Sequence, residues 1–237
     1  MRGPLRARLA GLDWSGITRE LWDRGHAVTP ALVAPGDCRE LAAVYDDDGR
    51  FRSRVDMARY RFGEGEYKYF ADPLPPVVAD LRAGVYPHLA PVASQWMAAL
   101  GSADSYPDSL DEFLDVCHRH GQTRPTPLLL RYGPGGYNCL HQDLYGPVVF
   151  PFQMTIVLSR PGADFEGGEF LLVEQRPRAQ SRAEVVPLGQ GDAVIFTTRF
   201  RPAPGARGTY RAAMRHGVSR VRAGSRMSLG VIFHDAA

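Results

Sequence analysis

From Thr126 onward the chain is a series of short β-rich runs separated by glycine and proline turns. TPLLLRY at 126–132, PFQMTIVLS at 151–159, GGEFLLVEQ at 167–175, AEVVPL at 183–188, DAVIF at 192–196, RHGVSRV at 215–221 and RMSLGVIF at 226–233 each have the length and β-branched content of one strand. Short strands at this spacing point to an all-β barrel or jelly roll. The first half reads as mostly helical. Asp13 can cap a short helix ending at Gly25, and Pro35, Gly36 and Asp37 open a second with Leu41, Ala42 and Tyr45 on one side. Residues 75–100 predict a long helix interrupted at Pro87 and Pro91. Ser109 with Glu112 three later, and Gly121 at the far end, bracket another helix. Residues 51–70 mix basic and aromatic side chains with two glycines and predict a strand pair or flexible flap. The simplest organisation is one domain over 1–237, with a helical support and flap (1–125) packed on a β core (126–237).

Charge narrows the partners little at the global level, since the net value is only +2. Its distribution says more. No Asp or Glu lies between Asp192 and Asp235, while Arg199, Arg201, Arg207, Arg211, Arg215, Arg220, Arg222 and Arg226 all do. Such asymmetry suits an anionic ligand or a polyanion. Three cysteines, Cys38, Cys117 and Cys139, show neither a CxxC nor a paired framework, which favours a reducing compartment. No run of eighteen apolar residues suits a membrane span, and the N-terminus lacks the apolar core of a signal peptide. The expectation is a cytoplasmic protein with no membrane association and no evident obligate protein partner.

The chemistry concentrates in RYGPGGYNCLHQD at 131–143. On a strand, His141 and Asp143 would project from one face and converge on one ion. His216 lies on another predicted strand. Two histidines and a carboxylate form the facial set that leaves three positions open on Fe(II). Ten residues beyond His216 comes Arg226, then Ser228; on an inward strand face this pair suits a carboxylate. Alone, HxD is a weak signal, as is an arginine on a basic strand; the ordered combination is far more specific.

With these pieces, FEGGEFLL at 165–172 and GDAVIF at 191–196, the segment from Thr126 to Ala237 resembles the 2-oxoglutarate- and Fe(II)-dependent dioxygenase superfamily. The resemblance implies an α+β, mainly β fold: a double-stranded β-helix (jelly roll) with N-terminal supporting helices. It implies His141, Asp143 and His216 as iron ligands, Arg226 as partner of the distal carboxylate of 2-oxoglutarate, and Ser228 and Tyr132 as its hydrogen-bond partners. The reaction implied is decarboxylation of 2-oxoglutarate to succinate by O2, coupled to hydroxylation of a substrate C–H bond.

Arg131, Tyr132, Pro134, Gly135, Leu140, His141, Gln142 and Asp143 match the corresponding stretch of AlkB-type nucleic-acid dealkylases. The second half departs, lacking their RxNxxxR pattern and keeping a prolyl-hydroxylase-like interval from His216 to Arg226. As a whole, through FGEGEYKYF at 62–70 and LHQDLYGPVVFPFQMT, the chain is similar to a bacterial oxygenase family linked to damaged DNA. Arg59 and Arg61 could then hold phosphates, Tyr67 and Tyr69 could stack on a base, and Gln142 and Tyr145 could touch substrate. The Arg-rich loop at 199–215 could hold another strand. The rival readings are a protein or amino-acid side-chain hydroxylase and, in a different class, a non-enzymatic β-barrel binding module. An alternating aromatic-basic stretch is also what a plain half-buried strand with a solvated face looks like. Cys139 is expected to be a packing residue, His118 and His120 helix-end residues, His234 a surface residue, and Trp14, Trp22 and Trp96 core. Asp164, Glu166 and Glu169 read as solvated charges about a turn.

Overall fold

A computed structural model describes residues 3–205 and 208–237. The helices are α1 (Gly3–Ala10), α2 (Trp14–Arg24), α3 (Pro35–Ala43), α4 (Pro76–Ala99) and α5 (Leu110–Arg119). The strands of the first half are β1 (His26–Thr29), β2 (Phe51–Asp56), β3 (Gly63–Glu64), β4 (Glu66–Phe70) and β5 (Leu128–Tyr132). Those that follow are β6 (Tyr137–His141), β7 (Phe152–Val157), β8 (Phe165–Gly167), β9 (Phe170–Gln175) and β10 (Arg182–Val186). The last five are β11 (Ala193–Thr197), β12 (Phe200–Gly205), β13 (Gly208–Val218), β14 (Val221–Gly224) and β15 (Arg226–Ile232).

A seven-stranded sheet runs in the order β1-β11-β7-β15-β5-β4-β2, and a second sheet in the order β10-β9-β13-β6-β3, with β12 paired to β13. The named strand pairings are antiparallel, including the small pair β14-β8. This is the expected jelly roll, α+β and mainly β.

The period-two pleat explains how one sheet serves two environments. On β7, Phe152, Met154 and Ile156 join the main hydrophobic core with the helices; on β15, Leu229 and Val231 do so; on β5, Leu129; on β11, Ala193 and Ile195. The intervening residues face the opposite way. Gln153, Thr155, Ser228, Gly230, Ile232, Leu128, Leu130 and Tyr132 line an internal cavity. α4 backs the sheet, and Arg82 ties it there by donating to the carbonyls of Ile232 and Phe233 and to Asp235 at 2.8–2.9 Å.

Helix ends follow local chemistry. Asp13 accepts from the Gly16 amide, α2 ends on Gly25 in the left-handed region, and Ser109 accepts from the Glu112 amide. Five expectations need correction. α4 is continuous through Pro87 and Pro91, because eleven of its residues are buried and this packing outweighs two lost rungs. The 1–125 segment is more than helical support: β1 extends the large sheet at one edge and β4 and β2 at the other, so that of the two alternatives for 51–70 the strand pair holds. The 199–215 stretch is the β12–β13 hairpin, with Arg207 outside the described residues, and its Arg201 is buried on Glu174 at 2.7 Å. Trp96 is buried as expected, whereas Trp14 and Trp22 are only half-buried. No helix among the described residues is long and apolar enough to cross a membrane.

The fifth correction is His234, which is fully buried, not exposed. Its Nδ1 accepts from the Phe150 amide at 3.3 Å, so it must be neutral, and burial pushes its pKa down from 6.5 to about 4. A depressed folded pKa means stability that is complete above pH 6.5 and is lost as pH falls towards 4. Denaturant unfolding from pH 7 to 4 should therefore lose on the order of 3 kcal/mol more in the wild type than in His234→Asn, whose amide oxygen can still accept from Phe150. Equal losses would show that His234 is not the titrating group.

Candidate active site

β13 and β6 are neighbours in the smaller sheet, and their register sets His216 directly opposite His141. The two rings lie 4.1 Å apart between centroids. Asp143 completes the cluster from just beyond β6. The strand ends at His141, so the carboxylate arrives from the irregular segment that follows and not from the same strand face, as the spacing had implied. Its two oxygens lie 3.5 Å from His141 Nε2 and 3.2 Å from His216 Nε2. One donor atom from each of the three residues falls within a 4.8 Å span.

The orientation of each group has an identifiable cause. His141 Nδ1 donates to the Cys139 carbonyl at 2.7 Å, which turns Nε2 inward with its lone pair free. Gln142 donates from Nε2 to the carbonyls of Met214 (2.8 Å) and Arg199 (3.2 Å), stitching the Asp143 segment to the strand that carries His216. The Tyr145 hydroxyl donates to Asp143 Oδ1 at 2.8 Å and the Tyr69 hydroxyl to Tyr145 at 3.0 Å. Burial opposes the charge on Asp143, yet hydrogen bonds and charge from His141 and His216 outweigh it and hold the carboxyl well below the ordinary range. Burial and the neighbouring His141 push His216 down. Burial acts likewise on His141, but there the hydrogen bond and charge of Asp143 prevail and raise it. Asp143 is thus held ionised and His216 neutral, whereas a cation bound here would have to displace the proton that Asp143 favours on His141.

Arg226 lies on the same inward face of β15 as Ser228 and is 1% exposed. Its Nη1 donates to Ser228 Oγ at 3.1 Å, and its guanidinium lies 5.6 Å from the Tyr132 ring centroid. Nε has no partner, and no carboxylate among the described residues forms an ion pair with the group. Burial lowers its pKa. A buried cation without a counter-ion is costly, and a bound carboxylate would complete it. Ser228 and Tyr132 line the triad cavity, of about 430 Å³, while Arg226 itself borders an adjoining cavity of about 310 Å³ and reaches the first through Ser228. Both hydroxyls accept, from Arg226 and from Asn138, and keep a proton to donate. Gly168 makes room for Arg226: a Cβ there would lie 2.7 Å from Arg226 Cδ.

The other expected residues divide. Tyr67, Tyr69, Tyr145, Gln142 and Arg61 line the triad cavity; Arg59 does not, lying instead over the Tyr60 ring at 5.7 Å. The Gln142 amide nitrogen is committed to backbone, so its contribution is to hold the wall. Cys139 is exposed and lines the cavity instead of packing into a core. His118 sits near the end of α5, 3.1 Å from Asp235, and Asp164, in the loop before β8, pairs with Arg160. Residues the sequence did not single out include Asn138, Gln153, Thr155 and Phe170. The signal for Gln153 and Thr155 was present: two polar side chains spaced by two in the otherwise apolar PFQMTIVL.

The fold is shared with solved structures at low identity. A Pseudomonas putida prolyl-4-hydroxylase superposes with a TM-score of 0.58 at 14% identity, covering 94% of this chain and 100% of that one. An oxidoreductase of the 2-oxoglutarate-Fe(II) oxygenase family from Burkholderia pseudomallei gives 0.55 at 18%, covering 96% and 94%. The class is that of the 2-oxoglutarate- and Fe(II)-dependent oxygenases, whose co-substrates are 2-oxoglutarate and O2. Within it, the chain belongs to the family described as an oxygenase catalysing oxidative methylation of damaged DNA, whose model matches residues 65–236. An uncharacterised protein found in two strains of Mycobacterium tuberculosis is 53% identical over 168 residues, 71% of this chain and 72% of the relative.

Gly168→Ala tests the cradle about Arg226. With φ at +62° and the 2.7 Å clash, it should destabilise the fold by about 1–3 kcal/mol and raise the KM for 2-oxoglutarate, read by urea unfolding and succinate release. An unchanged KM would mean that displacing Arg226 leaves co-substrate binding untouched.

Proposed function

We propose that this oxygenase removes N-methyl groups from damaged nucleic-acid bases by hydroxylating them. The observation that carries the reading is one cavity that combines the His141–Asp143–His216 cluster, the hydroxyls that flank buried Arg226, and a mouth suited to a strand with an extruded base. Phe62, Leu140 and Leu144, all exposed, line that mouth, and exposed Tyr60 stacks on Phe62 at 5.6 Å. Arg59 and Arg61 flank the pair, and neither has an ion-pair partner among the described residues. Free guanidiniums beside exposed rings suit phosphates and unstacked bases. The family description, which names damaged DNA, supports the same substrate.

In this reading His141, Asp143 and His216 would hold Fe(II), and Arg226, Ser228 and Tyr132 would hold the distal carboxylate of 2-oxoglutarate. The bound metal supplies O2 activation coupled to loss of CO2 from 2-oxoglutarate. The chain's own residues do the rest. Tyr145 fixes the Asp143 carboxylate, Tyr67 and Tyr69 wall the entering base, and Leu128, Leu130 and Ile232 keep water from the reacting methyl group. Hydroxylation of an N-methyl carbon gives N–CH2OH, which loses formaldehyde and leaves the repaired N–H.

A second reading, hydroxylation of a protein or amino-acid side chain, is favoured by the ten-residue interval from His216 to Arg226 and by a fold shared with prolyl hydroxylases. The non-enzymatic module is disfavoured, because the donor cluster and the buried guanidinium are all present. Fe(II)-loaded protein given O2, 2-oxoglutarate and an N-methylated oligonucleotide should release formaldehyde and succinate together; succinate alone would favour the second reading. His141→Ala and Asp143→Ala should abolish that turnover, and retained activity would remove the triad from its role. Arg226→Ala should raise the KM for 2-oxoglutarate by about 100-fold or more, since a buried charge-assisted contact is lost. Binding of a single-stranded oligonucleotide should weaken with salt, with a slope lowered by about 0.7 for each phosphate contact removed in Arg59→Gln and Arg61→Gln. A slope unchanged in both variants would take these arginines out of the interface.

A further inference from the structure

The inner wall of the cavity carries a buried, unpartnered polar group to which nothing above gives a role. Gln153, on β7, is 3% exposed, and its Nε2 has no hydrogen-bond partner. Among the described residues, buried side-chain atoms without a partner belong to only two residues that line this cavity, His216 and Gln153. His216 already directs its other nitrogen at Asp143. The Gln153 carboxamide sits between Phe152 and Met154, which face the opposite, helix-covered side of the sheet. An apolar side chain of the same size would fill its position without desolvating a donor. A buried donor left open is unfavourable in the free protein and becomes favourable only when something entering the cavity accepts from it.

Its place in the register says what that is. Gln153 pairs with Phe196 on β11, and the Phe196 ring lies 4.7 Å from the His216 ring, so the amide stands at the level of the donor cluster. On the other side it pairs with Ile232, six residues along β15 from Arg226. That is about 20 Å of strand, more than the arginine side chain and a five-carbon diacid span together. The amide therefore faces the substrate end of the cavity and not the co-substrate end.

We infer that Gln153 is a specificity-determining residue whose N–H donates to a carbonyl oxygen or ring nitrogen of the nucleobase held beside the cluster. The inference rests on the nucleobase reading proposed above. It makes stability and activity respond to one substitution in opposite ways. Gln153→Leu removes an unsatisfied donor from the free protein, so its thermal midpoint should hold or rise. The same change should lower kcat/KM for formaldehyde release from an oligonucleotide bearing a single 3-methylcytosine by about 10- to 100-fold. Gln153→Glu, of equal size but unable to donate when ionised, should lose activity as well. A midpoint lowered by several degrees in Gln153→Leu would mark the amide as structural and overturn the inference, as would wild-type kcat/KM in either variant. Absence of formaldehyde from the wild type would instead overturn the nucleobase reading, and this inference with it, so the two failures are distinguishable.

Discussion

Alternation along the strands of the large sheet is the constraint on which everything else depends. A strand offers successive side chains to opposite faces, so each of β5, β7 and β15 must satisfy an apolar helical layer on one side and the active-site cavity on the other. Phe152, Met154 and Ile156 alternate with Gln153 and Thr155, and Leu229 and Val231 alternate with Ser228 and Gly230. A slip of one residue would send Arg226 into the hydrophobic core and the leucines into the site. Register and chemistry are thus one requirement. The many antiparallel pairings, with Arg82 clamping the end of β15 to α4, are what keep it.

Much of this could be read from the residues before any coordinates. The strand runs were visible because glycine and proline punctuate them, and the His141, Asp143, His216 and Arg226 set because its order along the chain is distinctive. What could not be read were the non-local choices. That 51–70 joins β5 as sheet edge depends on pairing between residues some sixty positions apart, such as Tyr69 with Leu128. That α4 survives two internal prolines depends on its burial, which outweighs a local propensity. Charge patterning misled at Arg201, where an arginine in an acid-poor segment found Glu174 from a distant strand. Position along the chain misled at His234, which follows the last strand yet is fully buried beside the Tyr145 ring.

The electrostatics of the site divide in a way that suits its class. At the donor cluster, hydrogen bonds and charge from His141 and His216 hold Asp143 ionised against its burial. At the far end, Arg226 remains buried without a carboxylate ion-pair partner among the described residues. One end is balanced within the protein, whereas the other is completed only by an anionic guest. The cavity between them is mostly apolar, which strengthens both fields.

The stitch made by Gln142 has a further meaning for the metal. Because its amide fastens the Asp143 segment to the backbone beside His216, and β6 pairs with β13, the three donors belong to a single mechanical body. In the proposed reading, in which these donors hold Fe(II), such a site would act as a preformed tridentate chelator. The freedom lost in gathering the donors is lost during folding and not when the ion arrives, and no one ligand can let go without straining the others. Exchange of the ion should accordingly be governed by opening of this body and not by the lability of individual bonds.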